Sequence, residues 1–373
     1  MARILFVTHT SNQGGPNYRL LHLLKHLASQ QHQLAVAVPN CGPFLETLAS
    51  IGIPSYRSKA GGFARSAIPW LFSLIHKKDI DLVYGNNFSS GIRNAMIAAK
   101  LASRPFIWHI NEMLKEKHPP TLRVAYFLRF AEVLIADSAA SASTVRFHVR
   151  DRIVHQIYNG IDLGEYEITP TSRCDARLHV RQLLDVPTDQ TMITSAGTVC
   201  SRKGQLYGVK AAMTILQNYS DVNFAFLGSL DVEPEYANPI LENINKTGEN
   251  KRILFPGFLN DFPSFLMGSD IFLHTALKDP HPIAVLAAMA AELPVVAFAV
   301  DGVKEQVIDG GTGYLVPPGN VNGLTECLNK CLGDPTLRQQ LGQRGRRRVE
   351  AIFTIEQTNR KITSLIDSTF EKL

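Results

Sequence analysis

The chain is poor in the features that mark several large protein classes. Cysteine is scarce: Cys41, Cys174, Cys200, Cys327 and Cys331 make an odd five, and no Cys-x-x-Cys occurs. Cys327 and Cys331 share a helix face by spacing, but nothing beside them completes a zinc site. A disulfide framework is therefore excluded, and free thiols in a reducing cytoplasm are expected. No apolar run approaches the ~18 residues that a membrane span needs. The apolar segment at residues 2–8 is too short for a secretory leader's core and has no small-residue cleavage site, so it reads as a strand. There is no Gly-x-Gly-x-x-Gly, and no acidic residue closes the second apolar run, which argues against a dinucleotide site and a nicotinamide dehydrogenase. Dense Lys/Arg runs interleaved with aromatics are also missing, so no nucleic-acid partner is expected.

What is present is an ordinary globular balance, 45% hydrophobic and 19% charged over 373 residues, enough for two domains. Its net charge of +5 is unevenly spread. Residues 1–162 carry 18 Lys and Arg against 9 Asp and Glu, whereas the remainder carries 20 against 24. The basic first half is either a scatter of solvated cations or a face for an anionic membrane or acidic acceptor.

Short apolar runs alternate with helical periodicity throughout. Runs at 3–8, 34–38, 81–84, 105–109, 133–136 and 153–158 read as strands. A second series follows at 192–196, 223–227, 253–255, 271–274 and 294–298. Leu20, Leu21, Leu23, Leu24 and Leu27 recur at helical spacing between the first two runs, with Pro16 suited to a first helical turn. Such alternation predicts an α/β chain with parallel sheets and right-handed crossovers. The polar stretch 159–188, with Gly160, Gly164, Pro170 and Pro187, reads as an irregular linker.

Chemistry-bearing residues should follow the strands. Gly14-Gly15, between strand one and helix one, is either a tight turn or a place where backbone can approach an anion. Arg202, Lys203 and Gly204 lie in a loop between a strand and a helix, where two cations and open backbone suit a diphosphate. Asp279 precedes the Ala-rich segment 283–291 and is well placed for a sugar hydroxyl. Glu305 reads as an acidic group at a helix start. Asn159-Gly160-Ile161-Asp162 reads as a turn.

Taken together, these residues resemble family 4 of the retaining glycosyltransferases, in the type that assembles bacterial polysaccharides. Gly14-Gly15 looks like that family's glycine loop, and Asn159-Gly160-Ile161-Asp162 like its Asn-Gly-Val/Ile-Asp signature. Lys203-Gly204 looks like its diphosphate-binding turn. Ala288-Met289-Ala290, Leu293-Pro294-Val295-Val296, Gly302, Glu305, Gly313 and Leu315-Val316-Pro317 look like its C-terminal core. The resemblance implies the GT-B fold, two Rossmann-like domains facing a central cleft. It sets an acceptor-side domain at 1–165, a donor-side domain at 166–352, and a terminal helix at 353–373 that crosses back to the first domain.

The resemblance also implies roles. Lys203 and Arg202, with the backbone of Ile283 and Ala284, would hold the donor diphosphate, and Gly14, Gly15, Thr198 and His281 would complete the donor site. His109 resembles the family histidine near the transferred sugar. Asp279 stands for the first Glu of the family's Glu-x7-Glu motif, which contacts the sugar, and Gly257-Phe258-Leu259 stands where the nucleobase is held. Departures occur at Ala287 (for the ribose-binding Glu), Asp279 (for a Glu), Pro282 (for a Gly) and Thr198 (for an Arg). Losing the ribose carboxylate should weaken nucleotide binding by about 1–3 kcal/mol. The expected activity is transfer of a hexose, by default glucose from a UDP-sugar, to a polysaccharide or lipid-linked glycan with retention. No metal is expected, and no cofactor beyond the nucleotide sugar as co-substrate. The protein should be cytoplasmic, at most peripheral at the inner face of the membrane. A non-catalytic sugar-nucleotide-binding partner protein of the same fold is the alternative that Ala287 and Pro282 favour.

Overall fold

The computed structural model describes residues 1–58, 62–115, 122–259 and 261–371. They divide into two compact units, Met1–Gly160 with Ile355–Leu373, and Ile161–Thr354.

The first unit runs β1 (Arg3–Thr8), α1 (Gly15–Ser29), β2 (Gln33–Val38), α2 (Pro43–Ser50), β3 (Ser55–Arg57), α3 (Ile68–Lys77), β4 (Leu82–Asn86), α4 (Ser90–Leu101), β5 (Phe106–Ile110), α5 (Leu122–Leu128), β6 (Val133–Ala136), α6 (Ala139–His148) and β7 (Val154–Gln156). The sheet is parallel, in the order β3-β2-β1-β4-β5-β6-β7. Strand order reverses between β1 and β4. Period-two geometry splits β1 between two cores: Leu5 and Val7 pack with Val83, Phe106 and Trp108, while Ile4 and Phe6 pack with Leu82, Tyr84, Leu20 and Leu24. Both faces are covered, which is why the strands read as continuous apolar runs. The apolar stretch of α3 buries Leu71, Leu74 and Ile75 in the first of these cores. It covers the sheet.

The second unit runs α7 (Pro170–Leu184), β8 (Thr191–Ala196), α8 (Gln205–Leu216), β9 (Val222–Leu227), α9 (Pro234–Thr247), β10 (Ile253–Gly257), α10 (Phe262–Met267), β11 (Ile271–His274), α11 (Ile283–Ala290), β12 (Val295–Phe298), α12 (Val303–Gln306), β13 (Gly313–Val316), α13 (Val321–Gly333) and α14 (Pro335–Ile352). Its parallel sheet has the order β10-β9-β8-β11-β12-β13, reversing between β8 and β11.

The stretch expected to be an irregular linker contains α7, a 15-residue helix. Thr169 and Ser172 form a capping box at its start, with Pro170 in the first turn. Polar groups tie the helix to the unit. Arg177 and Arg181 hold the two oxygens of Asp270 at 2.8 and 2.9 Å, and both also donate to Gln190 O.

The last helix, α15 (Ile355–Phe370), returns to the first unit. Ile362 and Ile366 join the core of Leu20 and Leu24, each contributing about 1.5–3 kcal/mol by burial. Asn359 donates to His22 O at 3.3 Å and Thr358 to Tyr158 O at 2.8 Å. No helix among the described residues is long and apolar enough to cross a membrane.

Candidate functional site

Ligands of doubly wound sheets bind beyond the strand carboxyl ends, where strand order reverses. In the second unit that place is the β8–α8 loop beside the β11–α11 loop. Gln205 fixes the first loop from within: its Nε2 donates to Gly197 O and Thr198 O at 3.2 and 3.0 Å, and its Oε1 accepts from Cys200 N. Gly204 ends the loop at φ +65°, where a Cβ would lie 2.3 Å from Thr275 O. That contact requires glycine at this turn.

Lys203 lies along Gly197 and donates from Nζ to Asp279 Oδ2 at 2.5 Å. His274 Nε2 lies 3.3 Å from the same oxygen. Asp279 is buried, and its amide donates to Asp301 Oδ2 at 2.9 Å. Burial alone would raise the Asp279 carboxyl, but Lys203 and then His274 outweigh it and hold it well below the usual carboxylate range. Arg202 is exposed, with Nη1 donating to Lys278 O at 3.1 Å. The site therefore presents one open cation, one cation neutralised by a buried carboxylate, and a Thr198 held by its carbonyl.

The second loop is shaped by Gly302, where a Cβ would fall 1.7 Å from Pro280 O. His281 is buried and accepts at Nδ1 from Gln306 Nε2 at 3.2 Å. Burial pulls its pKa down to about 3. Pro282 caps α11 without a side-chain hydrogen bond, and Ile283 and Ala284 occupy the first turn, half-buried. First-turn amides have no partner within their helix. Ala287 is fully buried, so in this conformation its methyl offers no surface to a ligand.

The far end of α11 is held by cations: Arg346 donates to Ala290 O at 2.6 Å and Arg173 to Ala291 O at 2.7 Å. Arg348 donates to Glu305 O and Gln306 O, both at 2.8 Å. Within the 344–348 basic run, Arg346 and Arg348 are thus committed to helix carbonyls, while Arg344 and Arg347 are exposed. Gly257 ends β10 and is tied to the β9 end by Gly228 N donating to its carbonyl; Phe258 and Leu259 follow, with Phe258 57% exposed.

Gly14, Gly15 and His109 belong to the first unit. Gly14 is exposed at the N-terminus of α1, and Gly15 is its first residue. His109, at the end of β5, is fully buried with both ring nitrogens engaged: Tyr84 Oη lies 2.6 Å from Nδ1 and Arg19 Nη1 2.6 Å from Nε2. Burial and then Arg19 hold its pKa well below the ordinary imidazole value. An Asp-x-Asp triplet does occur, at Asp79-Ile80-Asp81, but Arg3 pairs with both carboxylates.

Sequence reasoning did not single out Gln205, His274 or Arg19. Gln205 and Arg19 are buried polar residues inside apolar helix patterns, and that combination is the signal that could have found them.

Comparison with known proteins agrees with this architecture. The chain is similar to the UDP-Gal:alpha-D-GlcNAc-diphosphoundecaprenol alpha-1,3-galactosyltransferase of Escherichia coli, 24% identical over 281 residues, 72% of this chain and 70% of that one. It is also similar to the capsular polysaccharide biosynthesis glycosyltransferase CapM of Staphylococcus aureus, 25% identical over 52% of this chain and 49% of CapM. Among solved structures, Anabaena HepE in complex with UDP and glucose superposes with a TM-score of 0.87 at 25% identity, over 99% of this chain and 100% of HepE. The family model for Glycosyltransferase Family 4 matches residues 13–165, and that for Glycosyl transferases group 1 matches residues 178–348. Those two matches take in every strand of both sheets except β1, with Gly14-Gly15 and the Lys203-Gly204 turn, and the chain belongs to the family 4 glycosyltransferases of the GT-B fold.

Proposed function

We propose that the protein transfers a hexose, glucose in the first instance, from a UDP-sugar to a polysaccharide or lipid-linked glycan, with retention at the anomeric carbon. The observation that carries this reading is the pairing of Lys203 with Asp279 beside an exposed Arg202 at the strand carboxyl ends of the second unit. HepE, which binds UDP and glucose, has the same fold along its whole length, and the E. coli relative is a UDP-galactose-dependent transferase.

In this reading Arg202, Lys203 and the first-turn amides of Ile283 and Ala284 hold the diphosphate, with His281 and Thr198 bounding the donor. Asp279 contacts the transferred sugar, and Phe258, with Gly257 and Leu259, faces the base. The bond from the anomeric carbon to the diphosphate oxygen breaks as the acceptor oxygen bonds to that carbon. The departing phosphate takes the acceptor proton, so no separate base is needed. Cations fixed before the reaction stabilise the charge that develops on the leaving diphosphate. The chemistry needs neither metal nor cofactor, the nucleotide sugar being a co-substrate.

In this reading the basic first unit also offers a peripheral face to an anionic membrane, drawing on its excess of Lys and Arg and on exposed Tyr126, Phe130, Ile153 and Arg150.

Calorimetric titration with UDP, GDP and ADP, without metal, tests the proposal. Selective binding of UDP is expected. Binding of none of the three would overturn the donor site, whereas UDP binding without sugar transfer would favour the non-catalytic sugar-nucleotide-binding partner protein that Ala287 and Pro282 recommend.

A further inference from the structure

Arg19 is the unusual residue of the first unit. It is 1% exposed, on α1, yet no carboxylate meets it directly among the contacts described. Instead its guanidinium gathers the carboxyl ends of several strands. One nitrogen, Nη2, donates to Asn86 Oδ1 at the end of β4. The other, Nη1, lies 2.6 Å from His109 Nε2 at the end of β5, and it donates at 3.4 Å to Asn159 Oδ1 beyond β7. Asn159 in turn donates to Asp137 Oδ2 at 3.3 Å, beyond β6. Asp137 is the buried counter-charge, reached through the amide of Asn159.

This arrangement settles the protonation of His109 by chemistry rather than by inspection. A guanidinium has only donors. Nε2 of His109 must therefore accept, its proton must sit on Nδ1, and Nδ1–H must donate to Tyr84 Oη. An imidazolium would place a second buried cation 2.6 Å from the first. Both nitrogens are then committed, and neither can exchange a proton with a substrate.

We propose that Arg19 is a positioning residue for the ligand-facing edge of the first unit, and that His109 is its neutral acceptor and not an acid–base group. The proposal rests on the reading of that edge as substrate-facing, and it narrows that reading. A hydroxyl deprotonated at this edge must lose its proton elsewhere, in keeping with the departing phosphate. It also explains why a histidine at a strand end can be fully buried.

The test is ring-nitrogen NMR of the full chain with 15N-labelled histidine, assigned by a His109→Gln variant, titrated from about pH 5 to pH 9. The expected result is a His109 that stays neutral over the whole range as the Nδ1–H tautomer. In Arg19→Met the restraint on Nε2 is gone, and the ring should flip tautomer or begin to titrate. Arg19→Lys retains a donor and should restore the Nδ1–H form, a rescue that a purely space-filling role would not produce. A wild-type His109 that titrates with the other histidines, or that carries its proton on Nε2, overturns the proposal. So does an Arg19→Met spectrum unchanged at His109. If neither variant folds, the wild-type titration alone decides. UDP calorimetry on the same wild-type sample separates this from the donor proposal, since Lys203 and Arg202 lie in the other unit.

Discussion

The two units are built on one plan and use it in opposite ways. Each has a parallel sheet that reverses strand order next to its first strand, and each sends a glycine-bearing loop from that strand into a helix. In the first unit the cation falls inside the helix, at Arg19. It turns back onto the strand ends and fills them with the protein's own groups. In the second unit the cations fall before the helix, at Arg202 and Lys203, and remain on the loop, one exposed and one held by a single carboxylate. A shift of a few residues relative to a helix start separates a closed polar edge from one able to receive an anion.

The largest effect should come from opening the closed edge. Arg19→Met leaves the Asn86 and His109 acceptors without their donor and Asp137 without its counter-charge. The first unit should lose about 3–5 kcal/mol, read by chemical denaturation, while UDP binding by the second unit is unchanged. Equal loss in both measurements would break the contrast.

Emptying the open edge comes next. Lys203→Ala should weaken UDP about 10- to 100-fold and abolish turnover, with the fold intact by circular dichroism. Retained turnover would remove Lys203 from the machinery.

The carboxylate that neutralises Lys203 has a pH signature. Because its folded pKa is depressed, Asp279 stabilises the fold at pH above the ordinary carboxylate value of about 3.9, and that contribution fades as pH falls toward the depressed value. Asp279→Asn should be less stable near neutrality, leaving Lys203 and His274 without their anion, and should flatten stability between about pH 5 and pH 2. A variant with the wild-type acid profile would show that the pair does not govern this edge.

The smallest effect concerns surface rather than edge. Tyr126→Ser with Phe130→Ser should reduce sedimentation with anionic vesicles about tenfold without altering UDP affinity. No change in sedimentation would leave the basic charge of the first unit as solvation only.

Much of the fold could be read in advance, because strands buried on both faces announce themselves as apolar runs. The exceptions are instructive. β3 and β13 are edge strands that are only partly buried and carry no continuous apolar run: none of Ser55–Arg57 is fully buried, and Tyr314 and Leu315 are half-buried between Gly313 and Val316. Helix α7 does not show in the periodicity because it carries almost no apolar stripe: Ala176, Val180 and Arg181 are its buried residues, and Arg177 and Arg181 anchor it through Asp270. Its capping box and Pro170 are legible in the sequence, but a cap without an apolar period does not distinguish a helix from a polar turn. In the site, Lys203, Arg202 and Asp279 could be found because charge after a strand is conspicuous. Gln205 and Arg19 are less conspicuous, because each is a single polar residue in an apolar helix pattern and its contacts with the loop or the strand ends show only in the fold. For His109 the sequence shows the strand end, but the turn of its ring to the interior follows from the packing of Tyr84 and Arg19 around it.

Helix α14 carries Arg344, Arg346, Arg347 and Arg348, four sites for trypsin within five residues. Two of these side chains, Arg346 and Arg348, are spent on the carbonyl ends of α11 and α12. A protease must unwind its substrate locally before it cuts, so the rate of cleavage at this run measures how often α14 lets go. A digestion time course read by mass would then serve as a clock for the loosening of the helix whose opposite end faces the candidate diphosphate, and ligands that steady that helix should slow it.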